Sequence, residues 1–379
     1  MSPAERFDAV VVGGGLMGLA TVDALLRRGR RVALVERFAP GHRQGSSHGD
    51  GRIFRFTYPE AVYVALARRA EAGWRSLERR AGTELLDLVG NWDCGPEGSP
   101  ELADLEANLA GAGLPFEHLS AAQSNARFPQ LRLEAGSVAL HQPDGGVAFA
   151  DRALGALWRL AREAGAELVT EDPIEGLDAG SGGVTMATSG GRRITGEVAV
   201  LTAGSWSRPL LAALGLRLPL QVTREQVAYF PSRNGVDHRR LPTVIDYHTP
   251  LAFYALPQIE TPGVKVGWHH AGLPIEHPEQ GTDLDAANLA AVQDFVRRRL
   301  PHLEPEPFEV ATCLYTTTPD QHFILDRHPG EPRLVIGAGF SGHGFKFGPA
   351  VGEILTALAL GEPAPLDLGT FRVGRFAAG

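Results

Sequence analysis

Residues 9–18 have the sequence AVVVGGGLMG, and this stretch decides the fold. Its first four residues are apolar and predict a buried strand, and the apolar spacing after the glycines predicts a helix over residues 16–28. A second apolar run over residues 32–35 predicts another strand, which ends at Glu36. Glycines between a strand and a helix let the backbone approach a pyrophosphate, and an acid about 20 residues further on accepts hydrogen bonds from a ribose. The stretch therefore predicts a βαβ unit that binds a dinucleotide through Gly13, Gly15, Gly18 and Glu36.

The rest of the chain alternates between helical and strand patterns. Helical spacing of apolar residues appears over residues 61–81, 100–112, 151–164, 285–300 and 349–360. Strand patterns appear over residues 184–188, 197–201 and 334–338. The last two run into small-residue turns and then helices, which indicates a return to the first sheet. Residues 216–268 are rich in strand formers and punctuated by proline, which indicates a separate antiparallel sheet, whereas residues 136–146 are rich in loop formers.

These patterns predict an α/β fold with two domains. The first is a Rossmann-type nucleotide-binding domain that is assembled from discontinuous segments, residues 1–80, 150–215 and 320–379. The second is a substrate-binding domain built on the antiparallel sheet, from residues 81–149 and 216–319. A nucleotide fold made of separated segments is expected because the two later glycine-rich turns lie far from the first one.

Composition narrows the range of partners. The chain has 36 basic and 44 acidic residues and a net charge of −8, which argues against nucleic acid or an anionic membrane as its partner. Apolar stretches are interrupted well before about 18 residues, so no transmembrane helix is expected. The strand pattern begins by Phe7 and leaves no room for a signal peptide, so we expect a cytoplasmic protein with a small-molecule partner.

Lysine and cysteine are both rare enough to be informative. Of the 36 basic residues only Lys265 and Lys346 are lysines. A lysine amine changes its pKa readily when it is desolvated, which a guanidinium does not, so both are candidates for site chemistry. Cys94 and Cys313 are the only cysteines. Two cysteines by themselves form neither a disulfide framework nor a four-ligand zinc site, and no metal is predicted.

Five blocks of sequence carry a family pattern. They are the glycine turn GGGLMG at residues 13–18, GSSHGDGRIFR at 45–55, KVGWH at 265–269, CLYTTTPDQHFI at 313–324 and GFSGHGFKF at 339–347. In this order they closely resemble the monomeric sarcosine oxidase family of flavin amine oxidases, which belongs to the D-amino-acid-oxidase-like group. The resemblance spans nearly the whole chain.

The resemblance implies FAD as the cofactor, attached through a cysteine sulfur to the 8α-methyl group, and oxidation of secondary amino acids with dioxygen reduced to hydrogen peroxide. It also implies a monomer. By position, Cys313 matches the attached cysteine, Lys265 the lysine where dioxygen reacts, and Arg55 with Lys346 the pair that binds the substrate carboxylate. Further matches line the substrate cavity (Tyr254, His269 and Tyr315), lie beside the flavin (His48 and Arg52) or contact the cofactor (Gly342 and Gly344).

Some positions depart from the family. Ser47 stands where the family has a second histidine, Gly51 where it has threonine, and Ile245 where sarcosine oxidases have methionine in the cavity wall. A β-branched isoleucine is stiffer than methionine and changes the room for a substrate side chain. We expect His269 and His270 to lie on a strand and to face opposite ways, which argues against a shared metal. Cys94 has no motif and is expected to be structural.

Several functions remain open. Sarcosine is the default substrate, with N-methyltryptophan, pipecolate and proline as alternatives. The chain could also be a flavin dehydrogenase with another electron acceptor, or a flavoprotein subunit without turnover. Lys265 separates these hypotheses, because only an oxidase needs a cation that stabilises reduced dioxygen. An NAD-dependent enzyme would share the glycine turn but would leave Cys313 unexplained.

Overall fold

The computed structural model describes residues 6–281 and 283–376, so the ends of the predicted nucleotide-binding domain, residues 1–5 and 377–379, lie outside the described residues. The helices are α1 Leu16–Arg27, α2 Ala61–Ala81, α3 Pro100–Gly111, α4 Ala121–Arg127, α5 Ala150–Glu163, α6 Ser207–Ala213, α7 Ala286–Arg299 and α8 Gly348–Leu360. The strands are β1 Arg6–Val12, β2 Val32–Val35, β3 Gly51–Phe54, β4 Leu86–Asp87, β5 Asn91–Pro96, β6 Glu117–Ser120, β7 Ser137–Gln142, β8 Gly146–Phe149, β9 Glu167–Val169, β10 Ile174–Gly180, β11 Gly183–Thr188, β12 Arg193–Leu201, β13 Gln221–Phe230, β14 Thr243–Asp246, β15 Phe253–Leu256, β16 Val264–Trp268, β17 Leu273–Ile275, β18 Glu309–Thr317, β19 Ile324–His328 and β20 Glu331–Ala338.

The first sheet has eight strands around a parallel centre. Its order is β10-β11-β12-β1-β2-β9, and β20 pairs in parallel with β12 while β19 pairs with β20. Strand β1 is buried on both faces: Ala9 and Val11 face one apolar cluster with helices α1, α5 and α8, and Val10 and Val12 face another. Burial on both sides explains why this strand is a continuous apolar run. The predicted return of later segments to the first sheet is confirmed by β12 and β20.

The second sheet has nine strands. Its order is β17-β13-β16-β15-β14-β5-β7-β6, with β18 on the other side of β13. The strands within residues 216–268 pair with one another in antiparallel fashion, which confirms the prediction. The one parallel pair among the described strands of this sheet is β14 with β5. The two strands are separated by a long stretch of chain, and a parallel pair needs such a crossover. Helix α7 covers one face and completes an apolar core.

Residues 136–146 are not the predicted loop. They contain β7, and the segment turns directly into β8. All six residues of β7, SVALHQ, are buried, so its polar residues lie inside the protein and the strand has no solvent-facing alternation to recognise. Gly136 and Gly145 flank the strand and make its sequence similar to that of a loop.

The sheets divide the chain much as the sequence suggests. Every strand of the eight-stranded sheet lies in the segments predicted to bind the nucleotide, and every strand of the nine-stranded sheet lies in those predicted to bind substrate. A small third sheet, β3-β8-β4, joins one strand of the first set to two of the second. The domain boundaries themselves stay a prediction. Among the described helices, none combines the length and the apolar character needed to cross a membrane.

Helices α1 and α8 pack closely because Gly352 has no side chain. A Cβ atom at Gly352 would lie 2.5 Å from the backbone carbonyl of Ala20. We therefore expect Gly352→Ala to lower the free energy of unfolding by about 1–3 kcal/mol, because backbone has to move to accept the methyl group. Thermal or denaturant unfolding measures this.

Gly155→Ala is the matched control, since Gly155 lies on an exposed position of α5 and a Cβ atom there meets nothing within 4 Å. This second substitution should raise stability by about 0.5–1 kcal/mol through helix propensity alone. Equal effects of the two substitutions would contradict the close approach of α1 and α8.

Candidate active site

The predicted site residues meet at one cavity of about 820 Å³. It extends from the glycine turn after β1 to the face of the nine-stranded sheet that α7 does not cover. All the predicted site residues except one line it: Gly13, Gly15, Glu36, His48, Arg52, Arg55, Tyr254, Lys265, His269, Cys313, Tyr315, Gly342, Gly344 and Lys346. Gly18 is the exception.

The glycine turn is shaped by close backbone contacts. Gly13 has φ +99°, and a Cβ atom there would lie 2.4 Å from the Thr202 carbonyl oxygen. A Cβ atom on Gly18 would lie 1.9 Å from the carbonyl oxygen of Gly13. Gly18 is therefore required for packing the helix against the turn, and it does not contact the cavity. Gly15 precedes α1, and the amide of Leu16 donates to Ser47 Oγ at 3.2 Å.

Glu36 is buried at the end of β2 beside this turn. One carboxylate oxygen accepts the amide hydrogen of Gly14 at 2.6 Å, and the other accepts that of Phe38 at 2.8 Å. Each oxygen has a second lone pair for a ligand hydroxyl. The carboxylate is thus fixed where a ribose would lie if a pyrophosphate bound at the start of α1.

His48 lies further along the cavity and has an unsatisfied atom. Its Nε2 is buried and has no hydrogen-bond partner among the described residues. Burial lowers the pKa of His48 to about 4, and the positive charges of Arg52 and Lys265 act in the same direction, so the ring is neutral. A buried polar atom without a partner is rare in proteins. Together with the glycine turn and Glu36, this atom fits a bound FAD, whose ring system carries donors and acceptors.

The register of the nine-stranded sheet brings the catalytic candidates together. Residues that lie directly opposite each other on paired strands project from the same face. Cys313 is opposite Glu225, Tyr315 opposite Thr223, Lys265 opposite Tyr229, Gly267 opposite Val227, Tyr254 opposite Gly267, Ile245 opposite Tyr254 and Asp93 opposite Ile245. The alternate residues form the apolar core under α7. One face of the sheet therefore carries four of the predicted residues.

Lys265 and Cys313 lie close to Arg52. Lys265 Nζ donates to the Gly51 carbonyl at 3.4 Å, and burial, followed by the charge of Arg52, lowers its pKa to about 7. Burial raises the pKa of the Cys313 thiol, against the opposing effect of Arg52 and Lys265. Arg52 donates to the carbonyls of Ser46 and His48 at 2.9 and 2.6 Å, which fixes the loop before β3.

The hydrogen bonds that hold Arg55 use one nitrogen of its guanidinium. It makes four polar contacts with described residues, to the Thr57 carbonyl at 2.6 Å, Thr57 Oγ1 at 3.1 Å, Tyr247 Oη at 3.0 Å and Asp93 Oδ1 at 3.5 Å. All four use Nη1, so Nε and Nη2 stay available to a ligand. Burial raises the pKa of Asp93 to about 6, although the nearby Arg55 guanidinium opposes this shift.

Lys346 is the second cation at this end of the cavity. Its Nζ donates to Tyr58 Oη at 2.9 Å and to the His343 carbonyl at 2.8 Å. An ammonium has three donors, so one hydrogen stays free. Burial, and then the charge of Arg55, hold the pKa of Lys346 well below its usual range. An anion bound between the two side chains would stabilise the ammonium, and a carboxylate matches the free edge of Arg55 and the free hydrogen of Lys346.

The two neighbouring histidines do not lie as predicted. Strand β16 ends at Trp268, and His270 adopts φ +59°, so the pair lies in a turn. Their ring centroids are 4.1 Å apart, so the prediction that they face opposite ways is wrong. His269 lies in the cavity wall, where its Nδ1 is 3.2 Å from Tyr315 Oη.

Sequence reasoning missed several polar residues around the site. Tyr58, Asp93 and Tyr247 hold the two cations, and Glu225 accepts hydrogen bonds from Thr223 Oγ1 at 2.5 Å and the Gly272 amide at 3.0 Å. Burial raises the pKa of Glu225 to about 7. Tyr58 is only three residues after Arg55, so its closeness in sequence to a predicted site residue was a signal that could have identified it. Asp93 and Tyr247 come from distant segments, and only the strand register shows that they meet.

Comparisons with known proteins agree with this geometry. The family described as FAD dependent oxidoreductase (DAO) matches residues 8–358. The chain is 38% identical to peroxisomal sarcosine oxidase from Mus musculus, over 98% of this chain and 97% of that one. It is 33% identical to monomeric sarcosine oxidase from Bacillus sp. (strain B-0618), over 98% and 96%. The solved structure of NikD, an unusual amino acid oxidase essential for nikkomycin biosynthesis, is 28% identical and superposes with a TM-score of 0.86, with 97% of each chain covered. The chain therefore belongs to the family of FAD-dependent oxidoreductases that includes the sarcosine oxidases.

Proposed function

We propose that this flavoenzyme oxidises small secondary amino acids, with sarcosine as the default substrate, and passes the electrons to dioxygen to form hydrogen peroxide. The observation that carries the proposal is the pair of cations, Arg55 and Lys346, whose free donors face the same cavity as Lys265 and Cys313. A carboxylate bound there would hold the substrate carbon beside the cofactor. The relatives named sarcosine oxidase support this assignment.

The flavin supplies the redox chemistry, because it accepts a hydride equivalent from the carbon next to the substrate nitrogen. The protein has to bind and orient. Arg55 presents a guanidinium edge that binds a carboxylate through two parallel hydrogen bonds, and Lys346 adds a point charge from the other side. Fixing the carboxylate in this way limits the positions that the amine can take and lowers the entropic cost of reaction.

The remaining wall of the cavity limits the substrate side chain. Tyr254, His269 and Tyr315 pack around one another, with His269 and Tyr315 ring centroids 5.5 Å apart. A Cβ atom on Gly267 would lie 2.6 Å from Tyr254 Oη, so the absence of a side chain at Gly267 leaves room for the Tyr254 ring. Ile245 adds a stiff apolar side chain on the same face. We infer that sarcosine or a small cyclic secondary amino acid is preferred over N-methyltryptophan.

Lys265 favours an oxidase over a dehydrogenase. Transfer of the first electron to dioxygen creates a small anion, and a fixed cation in a site with little water stabilises it. Lys265 lies on the same sheet face as Cys313, is largely buried, and makes one weak hydrogen bond within the described part of the chain, so its charge is little compensated. A dehydrogenase that passes electrons elsewhere has no use for this cation.

Cys313 is proposed to bind the flavin covalently. We expect the wild-type protein to keep its yellow colour in the pellet after acid precipitation, and Cys313→Ala to release the flavin into the supernatant. Cys94→Ala is the matched control, because Cys94 is a buried thiol in the apolar core on the other face of the same sheet. Release of wild-type flavin by acid would show that the attachment is not covalent, while leaving FAD binding at the glycine turn intact.

Lys265→Met should slow reoxidation of the reduced flavin by dioxygen at least ~100-fold, the scale for removing one preorganised charge partner. Burial lowers the pKa of Lys265 to about 7, so the ammonium is lost as pH rises through that value. Wild-type reoxidation should therefore slow as pH rises through about 7, and the variant should show no such dependence. Stopped-flow measurement of the two half-reactions tests this. Lys346→Met is the control and should impair reduction by substrate instead. Equal slowing of both half-reactions by Lys265→Met would contradict the dioxygen role.

The carboxylate clamp predicts a strict requirement for an acid group. Dimethylamine has an oxidisable N-methyl group but no carboxylate, so its kcat/KM should be at least ~100-fold below that of the best amino acid. Arg55→Lys should also lower kcat/KM, because an ammonium cannot make the two parallel bonds of a guanidinium. Steady-state peroxide release over a panel of amines measures both effects. A dimethylamine rate equal to that of sarcosine would refute the clamp.

A further inference from the structure

A chain of hydrogen bonds leads away from Lys346. Its Nζ donates to Tyr58 Oη at 2.9 Å, Tyr58 Oη lies 3.3 Å from His343 Nδ1, and His343 Nε2 lies 3.0 Å from the carbonyl of Gln321. Lys346 and Tyr58 are buried, whereas Gln321 is exposed. The chain therefore runs from the cavity wall to the protein surface.

Each bond in this chain has a fixed direction. A carbonyl only accepts, so the bond to Gln321 requires the His343 proton to be on Nε2. In the neutral ring Nδ1 is then an acceptor, and the single hydrogen of the Tyr58 hydroxyl goes to it. Burial, and then the charge of Lys346, hold the pKa of His343 well below its usual value, which keeps the ring neutral. The Tyr58 oxygen therefore presents only lone pairs to Lys346.

The second hydrogen of the ammonium goes to the His343 carbonyl at 2.8 Å, which leaves the third free. We propose that Tyr58 and His343 are positioning residues that hold Lys346 as an ammonium and direct its free hydrogen at the substrate carboxylate. This inference rests on the proposed carboxylate clamp, and it gives a role to His343, to which the sequence assigned none.

The charges around Lys346 show why such support is needed. Among the described residues, no carboxylate forms an ion pair or a hydrogen bond with Lys346 Nζ. The Arg55 guanidinium lies over the ring of Tyr58, 4.6 Å from its centroid, and Lys346 Nζ lies 5.4 Å from the same centroid, so two cations are close to one tyrosine. His269 faces the same space and is kept neutral by burial and by the neighbouring His270. The Phe347 ring, 5.1 Å from Lys346 Nζ, also favours a cation. Among the described side chains, however, the Tyr58 oxygen is the one that accepts a hydrogen bond from Lys346, and its lone pairs favour the ammonium over the neutral amine.

The test uses the holoenzyme and methoxyacetate, in which an ether oxygen replaces the substrate nitrogen. This acid has no titrating amine, so the pH dependence of its binding above about pH 5 reports on the protein. Binding is measured as a change in the visible absorption of the flavin, and Kd is determined from pH 6 to 10. In Tyr58→Phe we expect Kd to rise about tenfold at neutral pH, and the pH above which binding weakens to fall by roughly one unit.

Tyr63→Phe is the matched control. Tyr63 is a buried neighbour with its ring 5.0 Å from that of Tyr58, but its hydroxyl contacts His322 Nδ1 at 3.1 Å and not Lys346. This variant should bind methoxyacetate with the wild-type pH profile. His343→Leu is a second, independent test. It removes the acceptor of the Tyr58 hydrogen, so the pH dependence of methoxyacetate binding should shift in the same direction as in Tyr58→Phe.

The outcomes separate this inference from the clamp. If Tyr58→Phe and His343→Leu weaken binding equally at every pH, without moving the point where binding is lost, or if both match Tyr63→Phe, the positioning role is overturned. If Lys346→Met binds methoxyacetate as tightly as the wild type, the clamp itself fails. A variant that retains too little flavin is judged by the other variant of the pair.

Discussion

The structure depends on placing four cations around one cavity with a single ion pair among the described residues, that of Arg55 with Asp93 at 3.5 Å. Arg52, Arg55, Lys265 and Lys346 all line it, and transferring a charge out of water is costly unless its donors find partners. Most of those partners are neutral: backbone carbonyls for Arg52 and Lys265, and a carbonyl with a tyrosine hydroxyl for Lys346. Neutral partners satisfy the donors but leave the positive charge in place. The cavity thus keeps a field that attracts an anionic substrate and stabilises reduced oxygen species.

The nine-stranded sheet makes this arrangement possible because one of its faces packs against α7 and the other lines the cavity. The residues under α7 are apolar and rigid, including Val264, Val266 and Phe253. Their neighbours in sequence, such as Lys265 and Tyr254, necessarily point to the other face. A shift of register by one residue in β16 would move Lys265 into the apolar core. The packing that stabilises the fold therefore also fixes which side chains reach the cofactor.

Local patterns in the sequence predicted much of this architecture. The βαβ unit, the bounds of α2 and the strand at residues 32–35 follow from apolar spacing alone, because each is decided by burial over a few residues. The same reasoning failed for β7, where polar residues are buried, and for the histidine pair, where a left-handed residue follows the end of a strand. Both failures come from tertiary contacts that local spacing does not encode.

In the site, too, local sequence predicted some features, and tertiary contacts determine the others. The two lysines were singled out by their rarity, but rarity does not say why one should differ from the other. Lys265 has a single hydrogen bond, of 3.4 Å, with the residues that the structure describes, so its ammonium is weakly held and responds to the charge that develops on the cofactor side. Lys346 has two bonds shorter than 3 Å, one of them to a tyrosine whose hydrogen is committed elsewhere, so its remaining donor has a fixed direction. A cation that must stabilise a transient anion benefits from weak prior contacts, and one that must orient a substrate benefits from strong ones. The same residue type therefore serves two tasks through the number and direction of its hydrogen bonds. The partners that set them are Gly51 for Lys265, and Tyr58 and His343 for Lys346. Gly51 and Tyr58 are distant in sequence from the lysines they contact, so the sequence around each lysine does not show the difference.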